Sequence, residues 1–289
     1  MLTTDVVEEM VSARPAPALR PFVGHYTGYR QRGIAPALHR GLPSPYLTMI
    51  FTLDEPLVVS THPDPAQPGG VFETLIGGLH TSPAMITHDG RQSGVQLALS
   101  PLGARSLLGL PAGALYRLDL PAEDVLGRLG DEIQARLRAA DSWLQCFAVL
   151  DRILLRLLDA RSAAVRVAPE VARAWQVLRG TGGSVSIARL ASDIGWSPRH
   201  LGQRFGAELG LSPKAAARVM RFDRARWLVQ RRVAAGRPMD LADAAARCGY
   251  FDQAHLARDF RSLAGCSPTV WVSEELRNVQ AHGPPEGSG

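Results

Sequence analysis

With 289 residues, 46% of them hydrophobic, and a formal net charge of +5, the chain has room for two domains with packed cores and is too apolar for disorder. It holds no run of about eighteen apolar residues, and Met1 to Glu9 lack the basic-then-apolar order of a signal peptide, so the expectation is a cytoplasmic chain that neither crosses a membrane nor is exported. Three isolated cysteines, Cys146, Cys248 and Cys266, read as reduced core thiols, not as a disulfide framework or a metal knuckle.

Residues 1–13 are expected to be a flexible lead-in. From Arg14 to about Tyr116 prolines and glycines punctuate short apolar runs: 22–30, 46–53, 57–60, 71–78, 84–87 and 95–100. Val95, Leu97 and Leu99 alternate with Gln96 and Ala98, the period of a half-buried strand, and many such runs imply a small barrel or sandwich. The segment Thr61–Gly70, with three prolines and two glycines, predicts a mobile hairpin loop. Helical spacing then takes over. A short helix is expected within 102–108, one over 123–139 and another over 142–160, where Trp143, Phe147, Leu150, Leu154, Leu157 and Leu158 recur on one face. The pair reads as a helical hairpin that completes a domain over 14–160 and offers any surplus apolar face for dimerisation.

The polar stretch 161–169 reads as a linker to a second domain over 170–276, with 277–289 as a tail. Charge divides at the same place. From residue 166 onward there are 18 Lys+Arg against 11 Asp+Glu, whereas residues 1–165 hold 14 against 16. Nearly all of this positive charge is guanidinium, Lys214 being the one lysine, and guanidinium suits bidentate contacts to phosphate and guanine.

Within the second domain one pattern occurs twice. Ile187, Ala191, Gly195 and Trp196 align with Leu241, Ala245, Gly249 and Tyr250 at an offset of 54, and Ser197, Leu201, Phe205, Gly210, Ser212 and Pro213 align with Asp252, Leu256, Phe260, Gly265, Ser267 and Pro268 at an offset of 55. A single extra residue in the second turn, with register kept on both sides, is what a duplicated helix-turn-helix leaves. Ser197 and Asp252 are good N-caps, Gly210 and Gly265 good helix stops, and a long helix from 214 to about 232 joins the two units. Arg218, Arg221, Arg224, Arg226, Arg231 and Arg232 are expected on its exposed side.

In a helix-turn-helix the second helix enters the major groove and presents its N-terminal residues to base edges. Here those residues are Arg199, His200 and Gln203 in the first unit and Gln253, His255 and Arg258 in the second; Arg204, Arg221 and Arg261 are placed to meet phosphates. The sequence 201–213 (Leu-Gly-Gln-Arg-Phe-Gly-Ala-Glu-Leu-Gly-Leu-Ser-Pro), Arg221 to Arg226, and 249–260 (Gly-Tyr-Phe-Asp-Gln-Ala-His-Leu-Ala-Arg-Asp-Phe) followed by Gly265-Cys266-Ser267-Pro268 resembles the DNA-binding domain of the AraC/XylS family of bacterial transcription regulators. It departs at Ala244, Gly202 and Ala254. The segment from Leu99 to Pro111 resembles the strand exit of the cupin-like effector domain found in many such regulators.

The resemblance implies an α+β chain: a cupin-like β-barrel with a helical hairpin, then an all-α domain with two helix-turn-helix units. It further implies a sequence-specific regulator, not an enzyme, that binds double-stranded DNA, takes a small-molecule effector in the barrel, forms a homodimer, needs no cofactor, and contacts RNA polymerase if it is an activator. A competing expectation is a cupin-type metal enzyme that the C-terminal domain targets to DNA. His25, His39, His80 and His88 are scattered and do not show the clustered ligand spacing that a metal requires, so no metal site is expected.

Overall fold

The computed structural model describes residues 6–161 and 166–275. Ten strands occur among them: β1 (Val7–Ala13), β2 (Val23–Arg32), β3 (Ala37–Gly41), β4 (Leu47–Thr52), β5 (Leu57–Thr61), β6 (Gly70–Phe72), β7 (Thr74–Gly77), β8 (Ala84–His88), β9 (Gln92–Leu99) and β10 (Asp119–Leu120). They form two antiparallel sheets, ordered β1-β2-β9-β4-β7-β10 and β3-β8-β5-β6. The sheet-rich domain expected from sequence is present, but its hydrogen bonding does not close into a barrel.

Strand alternation explains why the larger sheet is covered on both faces. Tyr26, Leu47, Met49, Phe51, Ile76, Val95, Leu97 and Leu99 point into the main core. Their neighbours in sequence, among them Thr27, Thr48, Ile50, Leu75, Gln96 and Ala98, point to the smaller sheet across a cavity. Register holds this division in place: Met49 stands opposite Leu97 and Phe51 opposite Val95, so the core-facing residues of β4 and β9 share one face.

Residues 7–13 are not a flexible lead-in. They form β1 and pair along β2, with Met10 opposite Tyr29, and Gln31 donates to Glu8 at 3.1 Å. Val-Glu-Glu-Met-Val-Ser-Ala lacks strict alternation, so periodicity does not reveal this strand; pairing with a neighbour supplies its order. Residues 1–5 lie outside the described part. The Thr61–Gly70 segment is likewise tied down: His62 Nδ1 meets Asp119 Oδ2 at 2.6 Å, and Gln67 bonds both the carbonyl and the amide of Asp119, at 2.6 and 3.2 Å.

Helices α1 (Ala104–Leu107), α2 (Ala122–Leu126), α3 (Arg128–Arg138) and α4 (Trp143–Ala160) follow. The single helix expected over 123–139 is broken at Gly127, whose φ of 59° and ψ of −145° leave the helical region. Ile133 and Leu137 of α3 pack with Phe147, Leu150 and Leu154 of α4 in the main core. Asp151 of α4 anchors this layer, accepting from the Tyr26 hydroxyl and the Ala16 amide, each at 2.9 Å. Burial and this carboxylate together hold the Tyr26 phenol well above its ordinary pKa.

The second domain is all helix: α5 (Pro169–Gly180), α6 (Ile187–Ile194), α7 (Pro198–Leu209), α8 (Pro213–Ala234), α9 (Leu241–Arg247), α10 (Gln253–Ala264) and α11 (Pro268–Glu275). Helix α5 begins inside the expected linker; residues 162–165 of that linker, and the whole tail 277–289, lie outside the described part. Among the described residues no helix is long and apolar enough to cross a membrane.

The two domains pack closely. A 3-10 turn at Ala112–Leu115 abuts α7 so tightly that a Cβ on Gly113 would stand 2.5 Å from the Ala207 carbonyl. Beside it Arg105 of α1 grips Glu208 of α7 through Nε and Nη2, at 2.7 and 2.9 Å. Arg179 of α5 donates to the Tyr46 hydroxyl at 2.8 Å, and α11 packs on β3, where Arg40 pairs with Glu274.

Candidate nucleic-acid interface and an adjoining cavity

The duplication read from sequence is a duplication of local physics. Ser197 and Asp252 cap α7 and α10 by accepting from the amides of His200 and His255, at 3.2 and 2.6 Å. Each turn closes alike, through Trp196 N–H to Ala191 O at 2.9 Å and Tyr250 N–H to Ala245 O at 3.0 Å. Gly195 and Gly249 hold left-handed backbone there, with φ of 80° and 72°, which a side chain would strain. Each second helix buries three large apolar residues completely: Leu201, Phe205 and Leu209 in α7, and Leu256, Phe260 and Leu263 in α10. Phe205 lies against Trp175 of α5, and Phe260 lies between Phe222 of α8 and Trp271 of α11, so each helix is held from behind and its opposite face is free.

That free face carries most of the expected contacts. Arg199, Gln203 and Arg204 on α7 and Gln253, Arg258 and Arg261 on α10 are exposed. The two histidines do something else as well. His200 packs edge-on against Trp196 at 4.6 Å between ring centroids, and His255 against Tyr250 at 5.1 Å. His255 Nδ1 also faces the Phe251 amide at 3.5 Å, a weak contact. Both imidazoles therefore buttress the turn behind the helix, although the histidine follows the aromatic by four residues in the first unit and by five in the second.

Arg221 departs from its expected place. Its Nη1 donates to the Gly183 carbonyl at 2.7 Å and its guanidinium lies over the Tyr250 ring at 5.8 Å, so it faces inward and joins the loop before the first unit to the turn of the second. A phosphate role is not supported by that orientation. Arg218 is also turned inward, donating to the buried Asp259 of α10 at 2.8 Å, and Arg226 pairs with Asp223 at 2.8 Å. Of the arginines expected to be exposed on α8, Arg218 and Arg221 are thus braces to other elements of the domain, whereas Arg226 pairs within the helix itself. Burial and the nearby Asp259 carboxylate raise the Tyr250 phenol far above its ordinary pKa, so Arg221 sits over a neutral ring. The helix itself, 22 residues long, spans roughly 33 Å, close to one turn of duplex DNA.

Behind this surface lies a cavity of about 150 Å³ between the two sheets. Ile50, Leu57, Val59, Leu75 and Ile86 make its apolar floor, and His25, Thr27, Gln96 and His80 are polar points on its wall. The second domain contributes Asp223, Arg226 and Trp227 of α8 and Trp271 of α11 to its lining. Burial, aided by the Arg226 charge, lowers the His25 pKa to about 4, and burial lowers that of His80, so both rings are neutral at pH 7. Of the four scattered histidines, His25, His39 and His80 line this cavity; among the described residues no three His, Cys, Asp or Glu side chains come together as a metal site. Sequence reading did not find these cavity residues, because they come from both sheets and from two helices far away in the chain.

Two family models match separate parts of the chain. Residues 190–274 match the family model described as a helix-turn-helix domain, and residues 11–121 match one described as a domain of unknown function (DUF6597). No curated protein matches the chain. The C-terminal domain of AraT, a response regulator from Geobacillus stearothermophilus, aligns at 23% identity and a TM-score of 0.34, covering 38% of this chain and 88% of that one. A probable AraC family transcriptional regulator from Rhodopseudomonas palustris aligns at 25% identity and 0.32, over 37% and 96%. An apo ToxT variant from Vibrio cholerae aligns at 9% identity and a TM-score of 0.51, over 86% and 96%, a likeness of fold across both domains. The chain carries, behind an N-terminal domain of two antiparallel sheets, a C-terminal domain over residues 190–274 that matches the helix-turn-helix family model.

Proposed function

We propose that the protein is a sequence-specific DNA-binding transcription regulator whose two reading helices are set by a small molecule held in the cavity between the sheets. The observation that carries this reading is the pair of capped helices, α7 and α10, each locked from behind and exposed in front, braced on one rod about as long as a helical turn of DNA. Arg199, Gln203, Gln253 and Arg258 are the base-reading residues and Arg204 and Arg261 the phosphate contacts; His200 and His255 act on readout through the turns they buttress. The acting partner is double-stranded DNA in the cytoplasm. RNA polymerase contact in an activating role and pairing of two copies through the hairpin helix α4, where Leu144 is exposed, belong to the same reading.

Selection of duplexes from a randomised pool by the purified chain, followed by titration of the enriched duplex against a scrambled one at moderate salt, tests it. Preference for the enriched sequence is expected. Arg199→Ala or Arg258→Ala relaxes that preference, each costing about 1 to 3 kcal/mol at the base it reads, whereas Arg261→Ala weakens all sequences and lowers the salt slope by about 1. Failure to enrich any duplex overturns the reading.

The effector assignment rests on the cavity being lined by residues of both domains. A ligand touching Trp227, Arg226 and Trp271 together with Thr27 and Gln96 favours one placement of the DNA-binding domain over others through differential contact. Filling the space by Ala98→Phe is expected to abolish any ligand-induced thermal shift and leave DNA binding in place. A ligand that still stabilises this variant binds elsewhere.

A further inference from the structure

The extra residue that separates the two repeats is Phe251. In the first unit Trp196 is followed directly by the N-cap Ser197, whereas in the second Phe251 stands between Tyr250 and the N-cap Asp252. Its side chain is 93% exposed, more than any other large hydrophobic residue among those described. Neither a core position nor a loose loop accounts for it. Tyr250, on one side, is 5% exposed and its amide bonds Ala245, while Asp252, on the other, is held to the His255 amide at 2.6 Å. The backbone is thereby pinned at both neighbours, and an apolar ring is presented from a fixed point two residues before the exposed Gln253.

An aromatic side chain left wholly in water forgoes a large burial term, and this one stands beside a polar face that carries Gln253, Arg258 and Arg261. The apolar feature that such a face would meet in the major groove is the 5-methyl group of thymine. We propose that Phe251 is a further specificity-determining residue of the second unit, its ring lying against a thymine methyl at the edge of the bases read by α10. The first unit, which lacks the residue, makes no such contact. This rests on the DNA-binding reading above.

The test uses the full chain and a duplex that it enriches from a randomised pool. Phe251→Ala is expected to weaken binding to that duplex about tenfold, with Phe251→Leu intermediate, and with the slope of log affinity against log salt unchanged because no charge is removed. Replacing thymines one at a time by deoxyuridine should locate one position at which the wild-type protein loses a comparable factor and Phe251→Ala loses nothing more. Thermal unfolding of both variants should match the wild type, which separates loss of contact from loss of fold. Unchanged affinity of Phe251→Ala overturns the proposal, as does a loss that no thymine position reproduces. Normal DNA binding combined with lost transcription in a reconstituted assay with RNA polymerase also overturns it and makes Phe251 a protein contact. If the wild type enriches no duplex at all, it is the DNA-binding reading that fails.

Discussion

Replacing Arg105 by alanine asks whether the sheet domain holds the first reading helix by its C-terminal end. Arg105 and Glu208 meet through two parallel bonds of 2.7 and 2.9 Å, with side chains 27% and 13% exposed. A fork of this kind is stronger than a single charged contact, and partial burial lessens screening. Exposed pairs couple by about 0.2 to 1 kcal/mol, so a coupling of about 1 to 2 kcal/mol is expected here. The single Arg105→Ala substitution should cost about 2 kcal/mol, because it also leaves the Glu208 carboxylate short of a partner in a mostly enclosed place. The assay is a cycle of Arg105→Ala, Glu208→Ala and the double variant, followed by urea unfolding, with amide exchange at the end of α7 as a local readout. The neighbouring contact of Gly113 with the Ala207 backbone stays intact in all three variants, so the cycle isolates the ion pair. A coupling below about 0.3 kcal/mol would refute the argument that this pair joins the domains.

Three further outcomes follow from the same structure. Ser197→Ala and Asp252→Ala should each cost about 1 kcal/mol, with faster amide exchange confined to the first turn of the helix concerned; a loss spread evenly over the domain would contradict a capping role. Phe260→Ala, which empties the contact between Phe222 and Trp271, should cost about 3 to 5 kcal/mol by chemical denaturation, and a cost under 1 kcal/mol would mean that α10 is not held as described. The His25 pKa of about 4 lies below its ordinary 6.5, so the unfolded chain binds a proton that the folded one does not. Stability is therefore full above pH 6.5 and falls as pH drops toward 4, by at most about 3 kcal/mol from this group. His25→Gln should flatten that limb in urea midpoints measured between pH 4.5 and 7, and an unchanged limb would place the effect on other groups.

The local machinery of the second domain is legible in its amino acids. Cap, apolar spacing and terminal glycine lie within one short segment, so Ser197 to Gly210 and Asp252 to Gly265 declare a helix with a buried and a free face before any packing is known. Duplication made that signal stronger, because the same pattern arose twice with a single residue inserted. Signals of this kind are short in range and survive without their partners.

Where each polar group finds its partner depends on how the chain packs. Nothing near Arg221 in sequence tells whether it faces solvent or the Gly183 carbonyl, 38 residues away. Strand β1 exists because β2 pairs with it, not because its own residues alternate. The cavity needs His25 and Thr27 from one sheet, Leu57 and Ile86 from the other, and Arg226 and Trp271 from helices far along the chain. Pairings across such separations depend on the closure of long loops, and that is settled by the whole packed core, not by any window of the sequence.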